Sequence, residues 1–579
     1  MNVFVRELIE KLHSASDYKL KTGDIQRTNA NINGDFTILL SGLDISDDQK
    51  NETLKTFLDT LLTKNVIISY DIIGVFLNIK LSDSFIINVF RSIDVKNFEV
   101  SNEDTTQNVV IEYSSPNTNK PLHLGHLRNI FIGYSLSQIL KKCGYNVHQV
   151  TLVNDRGIHI CKSMVAYKLF GDNKTPMDVN IKGDHFVGDY YVKFDKQYKE
   201  ECKNYENSDR KAIDTPILLE AKELLKKWED GDKETVELWR KMNNWVLDGF
   251  NETYNVLGIK FDKEYFESDT YLLGKDMINY GLEKGVFYKK PDNSVWVDLA
   301  DVGMDKKLLL RGDGTSVYIT QDIGTVNLRY DDYKFNKMLY VVGDEQIYHF
   351  KVLKAILKKL NLEYCNDVYH ISYGMVELPN GKMKSREGTV VDADDIIQEM
   401  YKKAVEKTEQ LNKLSNLDVS EKEFIYRCIG MNSLKFFLLK VDPKKRIVFD
   451  PDKSIDFNGD TATFVMYSYV RMSSLLDKNG FKSDEFGEFE LSEIEKQLIF
   501  TLAEFNDVLL KAAKEYNPSF LVQYLLKVSK EFNKFYAQIN VSKINDVNRY
   551  NFCIMLVKKI KGVIEQVFDL LGMKTINHM

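Results

Sequence analysis

The sequence predicts an α/β protein whose parallel-sheet domain is flanked by a small N-terminal α+β domain, 1–107, and a C-terminal all-α helical bundle, 451–579. Three observations predict it. The apolar run Asn108-Val109-Val110-Ile111-Glu112-Tyr113, a helix pattern through Leu140 stopped by Gly144, and a second apolar run over 147–153 make a strand–helix–strand unit. Strand patterns return at Ser294-Val295-Trp296-Val297 and at Met338-Leu339-Tyr340-Val341-Val342. After about Asp450 they vanish, and helices with one apolar face run to the end.

A chain of 579 residues is too long for one core, so several domains are expected. No apolar run approaches about 18 residues, which argues against a membrane span. The N-terminus mixes acids with apolar residues at helical spacing and reads as a structural helix rather than a leader, so a cytoplasmic protein is expected. The six cysteines, Cys143, Cys161, Cys202, Cys365, Cys428 and Cys553, lie far apart without a CxxC pair. That spacing supplies neither a disulfide framework nor a structural zinc site, and reduced, buried thiols are expected. A net charge of −7 argues against wholesale nucleic-acid binding, yet from Lys511 onward eleven Lys/Arg face five acids. Charge alone leaves open a local nucleic-acid face or a solvated helical one.

In the N-terminal domain, Leu8, Ile9 and Leu12 stand at helical spacing, Thr37-Ile38-Leu39-Leu40 reads as a strand, and Leu54, Phe57, Leu58 and Leu61 share a helix face. Residues 75–81 read as another strand, and the polar stretch 101–107 as a linker. The central domain, 108–450, is expected to hold a Rossmann-type nucleotide-binding sheet interrupted by a charged helical insertion at about 170–290. In the bundle, Ile554, Val557, Ile560, Ile564, Val567, Phe568 and Leu571 form one apolar stripe, and a helix opening at Asn517-Pro518-Ser519 carries Phe532, Phe535 and Tyr536.

The most informative stretch is His123-Leu124-Gly125-His126, entered from Ser114-Ser115-Pro116-Asn117-Thr118-Asn119-Lys120-Pro121-Leu122. Two histidines three apart place both imidazoles on one side of a helix's first turn, where free N–H groups and the helix dipole attract phosphate. A strand precedes them, so they stand at the ligand crevice of an open parallel sheet, a place for ATP. His123 and His126 supply donors, Gly125 removes a side chain that would block the nucleotide, Lys120 adds a cation and Pro116 fixes the approach.

These residues resemble the signature of class I aminoacyl-tRNA synthetases, and Ser-Ser-Pro-Asn before the histidines is most similar to the arginyl family. Arg311-Gly312-Asp313-Gly314-Thr315, Tyr318-Ile319-Thr320-Gln321-Asp322 and Gly381-Lys382-Met383-Lys384-Ser385-Arg386 follow in that family's order, so the resemblance covers nearly the whole chain. It implies an arginine–tRNA ligase that forms arginyl-adenylate from arginine and ATP, with Mg2+, and moves the arginyl group to the terminal ribose of tRNA(Arg). The bundle resembles the family's anticodon-binding domain, and the N-terminal domain is expected to contact tRNA. Arginyl enzymes generally form the adenylate only with tRNA bound, so tRNA-dependent activation is expected. A monomer is expected, with an oligomer left open.

The resemblance also assigns residues. Lys120, His123, Gly125, His126, Met375, Val376 and Lys382 would meet ATP; Ser115, Pro116, Asn117 and His126 would hold the α-amino and carboxylate groups of arginine. Tyr318, Asp322 and Gln346 would line the guanidinium pocket. Catalysis would rest on His123, His126, Lys120, Lys382 and Lys384, with no resident metal. Aligned by its glycine, the Lys382 loop departs from the family's pattern, since Ser385 stands at the second lysine's place with Lys384 one position early; Lys120 is assigned that phosphate role ahead of Lys384. From the residues alone, a basic glycine-flanked turn also fits a solvated hairpin. A guanidinium asks for a carboxylate and neutral acceptors, and Tyr318 and Asp322, four apart, share a helix face. Asp322 is expected to be a buried acid awaiting that guanidinium; a helix N-cap is its alternative role. Asn154, Asp155 and the aromatic run Phe186 to Tyr191 are near the substrate or pack the core, core packing being expected for the aromatics.

Three alternatives remain at this level: a class I synthetase for glutamate, glutamine, cysteine or lysine, a small-molecule nucleotidylyltransferase, and a catalytically silent RNA-binding relative. Missing zinc cysteines weigh against cysteine, the acid at Asp322 against acidic substrates, and the length and helical bundle against a nucleotidylyltransferase. The intact His123, His126, Lys120 and Asp322 weigh against a silent relative.

Overall fold

The structure, a computed structural model, describes residues 4, 6–8, 25–28, 32–40, 48–95, 107–205, 215–379, 391–411, 414–457, 459–480 and 486–579. The expected helix through Ile9 and Leu12, the linker at 101–106 and the turn at 380–390, with Lys382 and Lys384, lie outside the described residues.

The N-terminal domain is an antiparallel sheet of β1 (Ile25–Arg27), β2 (Phe36–Leu39), β3 (Ile67–Ile73) and β4 (Phe76–Leu81) in the order β1-β2-β4-β3, with helices Asp48–Thr63 and Asp83–Ser92. Leu54, Phe57, Leu58 and Leu61 bury the predicted helix face. The domain docks on the bundle through buried aromatic contacts and several cations, among them Arg27 and Lys559. Arg27 lies 3.9 Å over the Phe500 ring. Lys559, on the last helix, donates to Phe90 O at 2.9 Å and to Ile93 O, carbonyls at the C-terminal end of Asp83–Ser92, where a cation is favourable.

The central sheet contains β5 (Asn108–Glu112), β6 (Asn146–Val153) and β7 (Lys263–Phe266). A separate antiparallel meander follows, β8 (Phe287–Lys289), β9 (Val295–Val297) and β10 (Lys307–Leu310), before β11 (Lys337–Gly343) and β12 (Val368–Tyr373) complete the central sheet. Its order is β12-β11-β5-β6-β7 and every pairing is parallel. The chain builds outward from β5 on one side and then crosses to β11 on the other, so the switch point lies between β5 and β11, where such sheets bind ligands. Two strand expectations are corrected here. β7 falls inside the stretch expected to be a helical insertion, because Lys-Glu-Tyr-Phe at a sheet edge buries only Tyr265 and shows no apolar run. Ser294 to Val297 forms a strand, but in the meander rather than in the central sheet.

Between β6 and β7 stand the long helices Ile158–Phe170, Gly183–Tyr205, Pro216–Glu229 and Lys233–Leu257. Phe186 and Tyr190 pack with Tyr167 and Trp245 at centroid distances of 5.1–6.2 Å, the core role expected of them. Helix Leu124–Lys142 is apolar nearly all round, since it is wedged between the sheet and the bundle. Gly133 permits that approach: a Cβ there would stand 2.3 Å from the Tyr113 ring.

The bundle comprises Ala462–Lys478, Glu493–Ala503, Phe505–Lys514, Ser519–Gln538 and Val547–Leu570, and Val419–Leu439, from the stretch expected in the central domain, packs on Ala462–Lys478 and Ser519–Gln538. The stripe from Ile554 to Leu571 is buried throughout. Two short parallel strands, β13 (Val376–Glu377) and β14 (Ile447–Val448), tie the central domain to the approach of the bundle. Among the described residues no helix is long and apolar enough to cross a membrane.

Candidate active site

His123 is the N-cap of helix Leu124–Lys142, and the motif caps itself. The Gly125 N–H donates to His123 Nδ1 at 3.1 Å, and the His123 N–H donates to His126 Nδ1 at 3.1 Å. This is a reciprocal capping box built from imidazoles, whose rings stack at 3.8 Å. An Nδ1 that accepts has no proton, so each ring carries its hydrogen on Nε2. Burial, helped by the Lys120 charge, pushes the His123 pKa down to about 3 and holds His126 well below the ordinary range. At neutral pH the pair therefore presents two uncharged Nε2–H donors at a helix N-terminus. Gly125 has a further reason to be glycine, because a Cβ would lie 3.0 Å from His123 Cε1 and press on the ring as it folds back to cap.

The segments on either side of 380–390 are fastened to this motif. On the far side, Leu124 N–H donates to Val391 O at 3.3 Å, Ala393 N–H donates to Leu122 O at 2.9 Å, and His123 bridges Asp392. On the near side the agent is Arg128, a fully buried guanidinium inside the apolar helix. It donates to Gly374 O at 2.5 Å, Pro443 O at 3.2 Å and Lys445 O at 2.8 Å. Met375 is exposed beside this anchor, while Val376 is buried in β13. The role of Arg128 was not read from the sequence, although a charge within an apolar helix pattern was its visible signal.

Ser114 and Ser115 follow β5 with positive φ, 77° and 36°, a left-handed backbone that strains non-glycine residues. Side chains hold them there. Ser114 N–H donates to Asn129 Oδ1 at 2.6 Å, and Asn129 Nδ2 donates to Val341 O at 2.6 Å, so one amide spans the switch point from β5 to β11. Ser115 N–H donates to Thr151 Oγ1 at 3.2 Å, and its hydroxyl donates to Glu112 Oε1 at 3.0 Å. Pro116 is buried, its carbonyl accepting from Asn154 N–H at 2.9 Å, and Asn117 is exposed at the rim. Asp155 fixes local structure: its carboxylate accepts from Ser268 N–H at 2.8 Å and from Ser268 Oγ at 2.6 Å.

Glu112 also forms a buried ion pair with Arg329, which donates to Tyr340 OH at 3.0 Å. Despite its burial, Arg329 is held above the ordinary guanidinium range by Glu112 and the two flanking tyrosines, Tyr340 and Tyr265. Arg329 lies on helix Tyr318–Tyr333, the helix of Tyr318 and Asp322. Ser115, Glu112 and Arg329 thus join the serine turn to the second half of the candidate site.

Tyr318 opens that helix and is 75% exposed; Asp322 stands one turn on. Asp322 is not the N-cap, which is Val317 without any side-chain cap bond. Nor is it a buried acid without a partner. Its side chain is 32% exposed, and Oδ2 lies 2.5 Å from His349 Nε2. The hydrogen bond to Asp322 raises the His349 pKa. The sequence reading did not foresee this contact, because His349 lies on another helix, Ile347–Lys359, 27 residues away. Gln346 ends the short turn Asp344–Gln346 after β11 and is exposed. The described site residues therefore gather about the C-terminal ends of β5 and β11, in a histidine half and an open half.

The sequence family described as "tRNA synthetases class I (R), catalytic domain" matches residues 90–450, and the DALR anticodon binding domain matches 465–579. The arginine–tRNA ligase of Amoebophilus asiaticus is 45% identical over 99% of this chain and 98% of its own length. That of Parabacteroides distasonis is 44% identical, again over 99% and 98%. The fold is similar to that of the arginyl-tRNA synthetase of Thermus thermophilus, with a TM-score of 0.79 at 23% identity, covering 99% of this chain and 100% of that one. With the catalytic family matched over more than half its length and such relatives over nearly all of it, this chain belongs to the class I arginyl-tRNA synthetases.

Proposed function

We propose that the chain joins arginine to tRNA(Arg) in two steps on the crevice between β5 and β11. In the first, an arginine carboxylate oxygen attacks the α-phosphorus of ATP, the bond to the β-phosphate bridge breaks, and pyrophosphate leaves with its charge. In the second, a hydroxyl of the terminal tRNA ribose attacks the adenylate carbonyl and AMP departs. The observation that carries the reading is the imidazole capping box, which leaves His123 and His126 as neutral Nε2–H donors at a helix N-terminus. Donors fixed in advance need no reorganisation as charge grows on phosphate oxygens. Lys120 supplies a cation from the preceding loop, Lys382 and Lys384 belong to the second phosphate loop, and Mg2+ is expected to accompany ATP. Gly125, Met375 and Val376 border the nucleotide.

Ser115, Pro116, Asn117 and His126 orient the arginine backbone, and Asp322 takes the guanidinium with Tyr318 and Gln346 beside it. Activation is proposed to depend on tRNA. Helix Ala393–Leu411 begins one residue after Asp392, packs on Val419–Leu439 and so links the histidine motif to the bundle. Docking of tRNA on the bundle then has a covalent route to residues 380–390 and completes the site by induced fit. The chain is proposed to act as a monomer in the cytoplasm. Charging total tRNA with each of the twenty amino acids tests the reading, with arginine alone incorporated. Incorporation of another amino acid, or of none, overturns it. Pyrophosphate–ATP exchange is expected near background with arginine alone and sharply higher with tRNA; full exchange without tRNA removes the coupling.

A further inference from the structure

Away from the crevice, a cavity of ≈ 580 Å3 lies where the far half of helix Leu124–Lys142, the end of Lys233–Leu257, helices Ala393–Leu411 and Val419–Leu439 and the last residues of the chain meet. Its volume is that of a small-molecule site. Tyr134, Tyr401 and Phe424 give it aromatic walls, and among the described residues Asp569 is the one acid that lines it. Of the three lining cations, Arg427 is already paired with Glu423 at 2.7 Å, which leaves Lys435 and Lys574 against Asp569.

Lys435 is the informative one. It is 4% exposed, and its Nζ donates to Leu257 O at 3.1 Å and to Gly572 O. Both carbonyls stand at the C-terminal ends of helices, where a cation is favourable. An ammonium has three donors, and among the described residues the third meets no acceptor and no carboxylate pairs with the group. Burial lowers its pKa to about 8, so it stays largely charged at neutral pH. A buried cation held by two carbonyls and the face of the Phe131 ring, 5.5 Å away, with no carboxylate partner among the described residues, on the wall of an aromatic cavity, is suited to an anion with a flat apolar body.

We propose that this cavity binds an aromatic organic acid, its anionic group meeting Lys435 Nζ and its ring lying among Tyr134, Tyr401 and Phe424. The site is separate from the arginine and ATP groups named above, and its occupant would touch both the histidine helix and the helix that follows residues 380–390.

The full-length protein is titrated with 8-anilinonaphthalene-1-sulfonate, an aromatic sulfonate, with and without saturating ATP and arginine, following its fluorescence. One saturable site, indifferent to ATP and arginine, is expected. Lys435→Met should weaken it by roughly tenfold or more, the scale of one charge-assisted hydrogen bond. Because that change also frees two helix ends, Met431→Trp is the companion: it narrows the cavity, leaves Lys435 in place, and should weaken the probe similarly while tRNA charging persists. Hydrogen exchange on the native chain needs no variant, and protection by the probe is expected within 397–401 and 427–435. Absence of saturable binding below about 1 mM, displacement by ATP or arginine, unchanged affinity in either folded variant, or protection confined to 114–128 would each overturn the proposal.

Discussion

At the histidine end of the crevice, both histidine Nδ1 atoms are committed to main-chain N–H groups, and Arg128 clamps the neighbouring segments through carbonyl after carbonyl. At the Asp322 end, Tyr318 and Gln346 stand open to solvent and Asp322 is held, among the described residues, by His349. The first end is stiff because main-chain geometry dictates it. The second rests on one side-chain contact among the described residues, so in the proposed reaction a guanidinium can take the histidine's place on the carboxylate. In the proposed reaction this division is sensible: phosphate oxygens gain charge in the transition state and need fixed donors, whereas the arginine side chain must enter and leave unchanged.

If the stiff end carries the chemistry, His126→Ala has the largest effect, lowering tRNA-dependent pyrophosphate exchange by about 10²-fold or more, the scale of one lost transition-state donor. The same change removes the acceptor for His123 N–H, so some stability is lost too, about 0.5–2 kcal/mol. Near wild-type exchange in a folded variant breaks the comparison at its strongest point. Lys120→Ala is next, with a loss of roughly 10- to 100-fold, as for one charged hydrogen bond. Measured beside Lys384→Ala, it should cost more; the reverse order would move the main phosphate cation to the second loop.

At the open end the expected signature is binding rather than rate. Asp322→Asn keeps the shape and removes the charge, raising the arginine KM about tenfold or more while the ATP KM changes little. Equal damage to both would make Asp322 a structural residue. The smallest effect is in pH. The folded His349 pKa is raised by its bond to Asp322, so the pair's contribution to stability is complete below the unfolded histidine value, about 6.5, and fades as pH rises through the folded value. A proton on His349 competes with arginine for Asp322, so the arginine KM should rise as pH falls through that raised value, by about threefold. His349→Asn should flatten the slope; a slope unchanged by that substitution assigns it elsewhere.

Much of this division was legible before any contact was known. The His123–His126 spacing, the Ser-Ser-Pro-Asn entry and the bundle stripe are local or periodic features, and each appears where residue order implied. The short edge strand β7 escaped because one buried tyrosine in four residues leaves no pattern. The environment of Asp322 escaped for another reason: spacing shows which residues share a helix face, but not which element covers that face.

By itself, then, the sequence determined the three-part architecture, the helix start at the histidine motif and the family, because capping, periodicity and motif order act over a few residues. Only the tertiary structure decided that the histidines hold their protons on Nε2, that Arg128 rather than a solvent-facing cation fastens the segments around 380–390, and that Asp322 is shared with His349. These depend on burial and on partners far away in the chain. Desolvation and hydrogen bonding there select protonation states that no local pattern encodes.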